Sequence, residues 1–323
     1  NNLLGVEVVF MDGTISRLGG KTFDAEGYDL LGLITGSEGL LCVITEVIVK
    51  ILKKPQAVKA ALIGFPTIED GGKCVSDVIA SGIIPAGMEM MDQLAVQAAE
   101  QFAHAGYPED AEAILLIELD GTDSEVVAMV VQVERLMLAQ HAYHIDVATD
   151  PDNQMRLWKG RKSAFPAVGR LSPDYYCMDG TIPRRELAHV LKEISQFSSE
   201  YGLAVANVFH AGDGNLHPLI LFDANKPGDL EAAEQMGGRI LELCVRVGGT
   251  VTGEHGVGIE KLDQMCVQFT EQELTQFFAL KAAWDPRGIL NPGKGIPTLT
   301  RCGELGGIHV RHGELPYAEL ERF

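Results

Sequence analysis

Leu203-Ala204-Val205-Ala206-Asn207-Val208-Phe209-His210-Ala211-Gly212-Asp213-Gly214-Asn215-Leu216-His217-Pro218-Leu219-Ile220-Leu221-Phe222 reads as two apolar runs around a polar turn. Leu203 to Phe209 is β-prone, Gly212-Asp213-Gly214-Asn215 is a tight-turn cluster, and Leu216 to Phe222 is apolar again, so a β-hairpin is expected. Six residues separate His210 from His217. Directly opposed residues of such a hairpin lie about 5 Å apart, so both imidazoles are expected to face each other across its mouth and to reach one ion. Imidazole and carboxylate suit zinc, manganese or iron, and three protein ligands leave positions open for a substrate. A second glycine-rich stretch, Gly253 to Gly258, holds Glu254 and His255 side by side. Glu254 is the best third ligand, which leaves His255 as a base. Neighbours in an extended segment point to opposite faces, so only one of the two should face the ion directly unless the backbone turns there. A single histidine would read as an ordinary loop residue. Two histidines, a carboxylate and a further histidine in glycine-rich turns read as a site for redox or acid-base chemistry.

The string His210 to His217, then Gly253-Glu254-His255-Gly256-Val257-Gly258, then Leu290-Asn291-Pro292-Gly293-Lys294 resembles the C-terminal region of FAD-linked D-2-hydroxyacid oxidases and dehydrogenases, in the vanillyl-alcohol oxidase superfamily. Trp158-Lys159-Gly160-Arg161-Lys162, the segment Ser172 to Arg185 and the closing triplet Glu321-Arg322-Phe323 resemble its glycolate oxidase catalytic-subunit branch. The resemblance spans essentially the whole chain. It implies that His210, His217 and Glu254 bind a divalent metal and that His255 is the general base. It implies that Arg161 grips the substrate carboxylate, a task suited to its planar bidentate fork; without the resemblance Arg161 reads as a solvated helix charge. Gly36-Ser37-Glu38-Gly39 resembles a turn whose backbone approaches the flavin, where glycine permits close contact, and Asn291 matches a residue that returns to the flavin.

Departures accompany the match. Where relatives carry a small or hydroxylated residue and then a further glycine, this chain has Leu40 and Cys42, and bulk at Cys42 is expected to narrow the flavin channel. No Gly-Gly-Gly-Thr run or dinucleotide fingerprint occurs, and the spacing Gly253, Gly256, Gly258 is the wrong order for one. Asn1 is no natural start, so the chain reads as a fragment without its N-terminal FAD-binding half, able to hold metal without retaining FAD.

Residues 1–54 alternate short apolar strands with turns such as Met11-Asp12-Gly13 and read as the remnant of an FAD-binding domain. From Ala57 the pattern becomes strand and helix in alternation: Val58 to Phe65 β, Ile68 to Ala80 helical, a helix capped by Asp92 and running to His104, Ala113 to Leu119 β. Tyr143 to Val147 and Val205 to His210 follow as strands, with a helix from Arg184 to Tyr201. Strands and helices alternating around an antiparallel hairpin predict an α+β fold, with residues 55–270 forming a ferredoxin-like cap that carries the substrate and metal site. Amphipathic helices are expected over Leu230 to Val247 and Glu271 to Trp284, the latter opening a segment, 271–323, that returns to the FAD domain. His309 and His312 read as part of a solvated tail.

Acidic residues number 45 against 26 basic, a formal net charge of −19, which argues against nucleic acid and anionic membrane surfaces as partners. The six cysteines show no Cys-x-x-Cys spacing and read as reduced thiols of a cytoplasmic protein. No apolar run near membrane-spanning length and no signal sequence is present, so membrane association would come only through a partner. By resemblance the whole enzyme oxidises glycolate to glyoxylate with FAD and passes electrons to an iron-sulfur partner subunit. Oxidation of D-lactate or another D-2-hydroxyacid, and a flavin-free metallohydrolase, are the alternatives.

Overall fold

The structure, a computed structural model, describes residues 2–22 and 27–297. Cys302, His309, His312 and the closing triplet lie outside the described residues. The elements in chain order are β1 (Leu3–Val9), β2 (Ile15–Gly19), α1 (Leu30–Ile34), β3 (Val43–Val49), β4 (Ala57–Phe65), α2 (Ile68–Ala80), β5 (Gly87–Asp92), α3 (Gln93–Ala103), β6 (Ala113–Gly121), α4 (Asp123–Ala139) and β7 (His144–Val147). They continue with α5 (Pro151–Lys162), α6 (Ala164–Val168), β8 (Asp174–Cys177), a 3-10 turn at Arg184–Glu186, α7 (Leu187–Tyr201), β9 (Val205–Phe209), β10 (Pro218–Phe222), α8 (Asp229–Arg246), α9 (Leu262–Gln268) and α10 (Glu271–Trp284).

Local sequence explains where the helices begin. Thr67, Asp92 and Asp150 each accept a hydrogen bond from a first-turn amide of α2, α3 and α5, satisfying a donor that the helix itself cannot. Thr122 with Glu125, and Thr270 with Glu273, close reciprocal capping boxes on α4 and α10. Pro151 takes the first position of α5, where its missing N–H costs nothing.

The described residues form two compact units, one within 1–53 and 254–323 and one of residues 54–253. In the first, β2-β1-β3 make an antiparallel sheet. Its core gathers Val6, Val8, Ile34, Leu41 and Cys42, with Leu280 and Trp284 of α10 packed against it. The Cys42 side chain is fully buried in that cluster, and burial pushes its thiol pKa up.

The second unit is built on a seven-stranded sheet of order β7-β4-β6-β5-β9-β10-β8, antiparallel at every pairing. Its first half, β4-α2-β5-α3-β6-α4-β7, is the ferredoxin-like strand-helix-strand-strand-helix-strand pattern with α3 added between the second and third strands. The α+β expectation therefore holds, and the extra breadth comes from β9, β10 and β8. β5 and β6 are buried on both faces, so their sequences lack the alternation of a half-exposed strand. α3, α5 and α6 cover one face, with Ala95, Val96, Ala99, Leu157, Ala164 and Val168 against Leu62, Leu116, Val208 and Leu219. Among the described residues Cys42, Cys74, Cys177 and Cys244 are free thiols. Among the described residues no helix is long and apolar enough to cross a membrane.

Candidate functional site

The hairpin forms, but its register differs from the expected one. β9 and β10 pair Pro218 with Asn207 and Ile220 with Val205, and the ladder ends in a bridge between His210 and Asn215. His210 is therefore opposed by Asn215 and not by His217. The turn is tighter than the histidine spacing suggested: the amides of Asp213, Gly214 and Asn215 all reach back to the His210 carbonyl. Gly214 has φ +74°, and a Cβ there would run into the Ile182 carbonyl, so only glycine fits. His217 instead sits opposite Val208, whose amide donates to its carbonyl, on the same sheet face as His210 and diagonal to it. Diagonal neighbours remain within side-chain reach, and the two imidazoles stand 5.1 Å apart, nearly perpendicular.

Each histidine has a buried carboxylate behind it. β5 pairs with β9 through Met90 and Phe209, and the next step of that register sets Glu89 beside His210. Glu89 Oε1 lies 2.8 Å from His210 Nδ1. Its other oxygen, Oε2, accepts from Arg161 Nε at 3.1 Å and Nη2 at 2.8 Å. Glu89 and Arg161 are both buried, an arrangement sustained by charge-assisted pairing. Arg161 is thus no solvated helix charge; α5 delivers it into the sheet. Behind His217, the fully buried Asp179 brings Oδ1 to 3.7 Å from Nε2. Asp179 also accepts from Thr252 Oγ1 at 2.8 Å and from the Gly253 amide at 3.1 Å, and its own carbonyl takes the same amide at 2.8 Å. Gly253, the residue before Glu254, is therefore fastened beside His217. A Cβ on Gly253 would lie 2.5 Å from Asn215 Oδ1.

Deeper in the same unit, Asp92 accepts from both the backbone and side-chain amides of Asn207 on β9 and from the Ala95 amide. Burial pushes its pKa up to about 6 against those hydrogen bonds, which pull it down.

The other expected residues lie in the first unit. Glu254 and His255 are each about half exposed, with His255 Nε2 3.5 Å from Glu254 Oε1. Residues 253–255 form a bend rather than an extended strand, so both side chains approach one another and the expected division onto opposite faces does not occur. The loop after them wraps a carboxylate: Val257 and Gly258 amides donate to Glu38 at 2.7 and 2.9 Å, with Gly256 and Gly258 at positive φ, the geometry of a backbone anion nest. Glu38 itself sits at φ 52° within the turn Gly36-Ser37-Glu38-Gly39, and its carbonyl accepts from Asn291 Nδ2. The turn, Asn291 and the loop of Glu254 and His255 are thus tied together through Glu38. A Cβ on Gly36 would meet no atom within 4 Å, so that turn offers open backbone. Lys281 braces the arrangement from beneath, donating to the Leu40 carbonyl at 2.8 Å, the Leu290 carbonyl at 2.6 Å and Asp285. Burial alone would raise the Asp285 pKa, but Lys281 and the Leu290 and Ile289 amides outweigh it and hold it below the usual carboxylate range.

Sequence reading missed Glu89 and gave no role to Asp179 or Glu38. One signal was present for Glu89. A lone glutamate within Gly87-Met88-Glu89-Met90-Met91 is a charge in an apolar run, which requires a partner when buried.

Two imidazoles, each beside a buried carboxylate, thus come together at the end of a hairpin in an antiparallel α+β unit, residue types of the kind that could hold a divalent cation. Residues 54–295 match the family model described as FAD linked oxidases, C-terminal domain, and the chain belongs to that family. It is 58% identical over all 323 residues to glycolate oxidase subunit GlcD of Escherichia coli strain K12, covering 65% of that protein. Against the subunit of the same name from Bacillus subtilis strain 168 the identity is 40% over 90% of this chain and 62% of that protein. A D-lactate dehydrogenase of Archaeoglobus fulgidus is 33% identical over 93% of this chain and 65% of its own length. The fold resembles that of p-cresol methylhydroxylase with substrate bound, at a TM-score of 0.74 and 17% identity, covering 93% of this chain and 66% of that one.

Proposed function

We propose that this chain is the catalytic and metal-binding part of a flavin-dependent 2-hydroxyacid oxidoreductase acting on glycolate. The observation that carries the reading is the pairing of His210 and His217, each against a buried carboxylate, in a chain 58% identical to a glycolate oxidase subunit. His210, His217 and Glu254 hold a divalent cation of the zinc, manganese or iron type; the third ligand is the side chain that follows the anchored Gly253. Bound there, the cation supplies a positive charge that lowers the pKa of the substrate hydroxyl. Arg161 has Nε and Nη2 committed to Glu89, which fixes the guanidinium plane and turns the remaining donors to the substrate carboxylate. His255 takes the hydroxyl proton. Gly36, Ser37, Gly39 and Asn291 line the approach to FAD, which supplies the acceptor for the α-hydrogen and its electron pair. The products are glyoxylate and reduced flavin.

A partner subunit fits a relative that is itself named as a subunit, and the reading assigns it the iron-sulfur relay. It also places the protein in the cytoplasm, reaching any membrane through that partner. The second reading, oxidation of D-lactate, rests on the Archaeoglobus relative. The full-length protein, reduced anaerobically while its flavin absorbance is followed, separates the two. Faster bleaching with glycolate than with D-lactate is expected; bleaching by D-lactate alone would overturn the choice of substrate, and a colourless protein would return the flavin-free hydrolase to consideration.

A further inference from the structure

We propose that Glu89 is a positioning residue that sets, with one side chain, both the metal-binding nitrogen of His210 and the carboxylate-binding fork of Arg161. The inference rests on the metal reading of His210 and deepens it. The two oxygens of Glu89 are divided between two clients: Oε1 faces His210 Nδ1 at 2.8 Å, and Oε2 takes two donors from Arg161. A carboxylate engaged by a guanidinium accepts at both oxygens and has no proton to give, so the imidazole must be the donor at Nδ1. That bond selects the tautomer with hydrogen on Nδ1 and leaves the Nε2 lone pair directed to an ion. The same carboxylate orients Arg161, so the group that grips the substrate and a group that grips the metal are held in one relation by a single side chain. Sheet register puts it there: Glu89 follows the Met90–Phe209 pair of the β5–β9 ladder, and the two strands are the rigid elements on which a site is best held.

The substitution that tests this is Glu89→Gln, which keeps size and removes one acceptor. Arg161 can only donate, so it claims the amide oxygen and the amide NH2 turns toward His210. The ring must then accept at Nδ1 and carry its proton on Nε2, where it blocks the ion. Two readouts apply to the full-length protein and to the variant. Long-range proton–nitrogen NMR on protein labelled with nitrogen-15 in histidine, with His210 assigned by its absence in His210→Gln, should show the Nδ1–H form in the metal-free native protein and the Nε2–H form in Glu89→Gln. Zinc titration against a chromophoric chelator should show affinity reduced by about 10- to 100-fold. Leu62→Ala, a cavity in the same unit's core, controls for general loss of stability and should keep both the tautomer and zinc.

A native protein that loads zinc while Glu89→Gln keeps the same tautomer and affinity would overturn the positioning role and leave the metal site standing. Zinc lost equally in Leu62→Ala would likewise reduce Glu89 to a structural part. A native protein that binds no zinc would overturn the metal reading, and this inference with it.

Discussion

Gly160 lies in the last turn of α5, one residue before Arg161, and Gly160→Ala sets two effects of opposite sign against each other. Alanine in a helix interior is favoured over glycine by about 1 kcal/mol. Here, however, the new Cβ would be driven into the Tyr107 ring, closest to Cζ and within 2.6 Å of Oη and 2.7 Å of Cε2. Tyr107 is buried, and its hydroxyl is tied to the Leu157 carbonyl of the same helix, so the ring cannot swing into solvent. Overpacking of this kind costs about 1–3 kcal/mol, and withdrawal of the ring forfeits a hydrogen bond worth roughly another 1 kcal/mol. The net expectation is destabilisation of about 1–3 kcal/mol, a fall in Tm of roughly 2–10 °C for a unit of this size. The assay is urea unfolding of native, Gly160→Ala, Tyr107→Phe and double-variant proteins. Removing Oη relieves one of the three close contacts, so the double variant should lose less than the sum of the singles, with a coupling of at least about 0.5 kcal/mol. A Gly160→Ala protein as stable as the native one, or strictly additive singles, would refute the reasoning that Gly160 exists to admit Tyr107.

Three further outcomes are expected. In the full-length enzyme, His255→Ala should keep metal and flavin yet lose turnover by roughly 100-fold or more, whereas Glu254→Ala should lose metal with activity; metal analysis beside kinetics checks the assignment, and the reverse pattern would exchange the two roles. Either His210→Ala or His217→Ala should strip most of the bound metal, because a site with three protein ligands has none to spare; unchanged metal content in both would remove the hairpin from the site. For pH, Asp92 has a folded pKa of about 6 against an ordinary value of 3.8. Between those values the folded state binds more protons than the unfolded one, so this group's contribution is present below about pH 4 and is lost as pH rises through 6. Urea midpoints across that window should slope downward from this group, and Asp92→Asn should remove that part of the slope.

Much of the architecture was open to inspection in the chain itself, because it depends on neighbours. Asp92 marks a helix start through capping, and α2 was read over the residues it occupies. The apolar runs on either side of Gly212 to Asn215 made a hairpin the only economical reading, since the turn residues relieve strain locally. The glycine-rich loops that hold His210, His217, Glu254 and His255 were likewise visible, as was the family to which they belong.

What tertiary structure decided was register and partnership. His217 faces Val208 and not His210 because the Gly214 turn closes one step tighter than histidine spacing alone suggests. Glu89 meets His210 across 121 residues of sequence, and Asp179 meets Thr252 across 73. No local periodicity encodes such pairs. The first arises because β5 lies between β6 and β9, and in both pairs a buried carboxylate must find a partner to recover its lost hydration. Local sequence determines which side chains are available for chemistry; the burial that gives each its hydrogen-bonding partner exists only once distant strands have closed on one another.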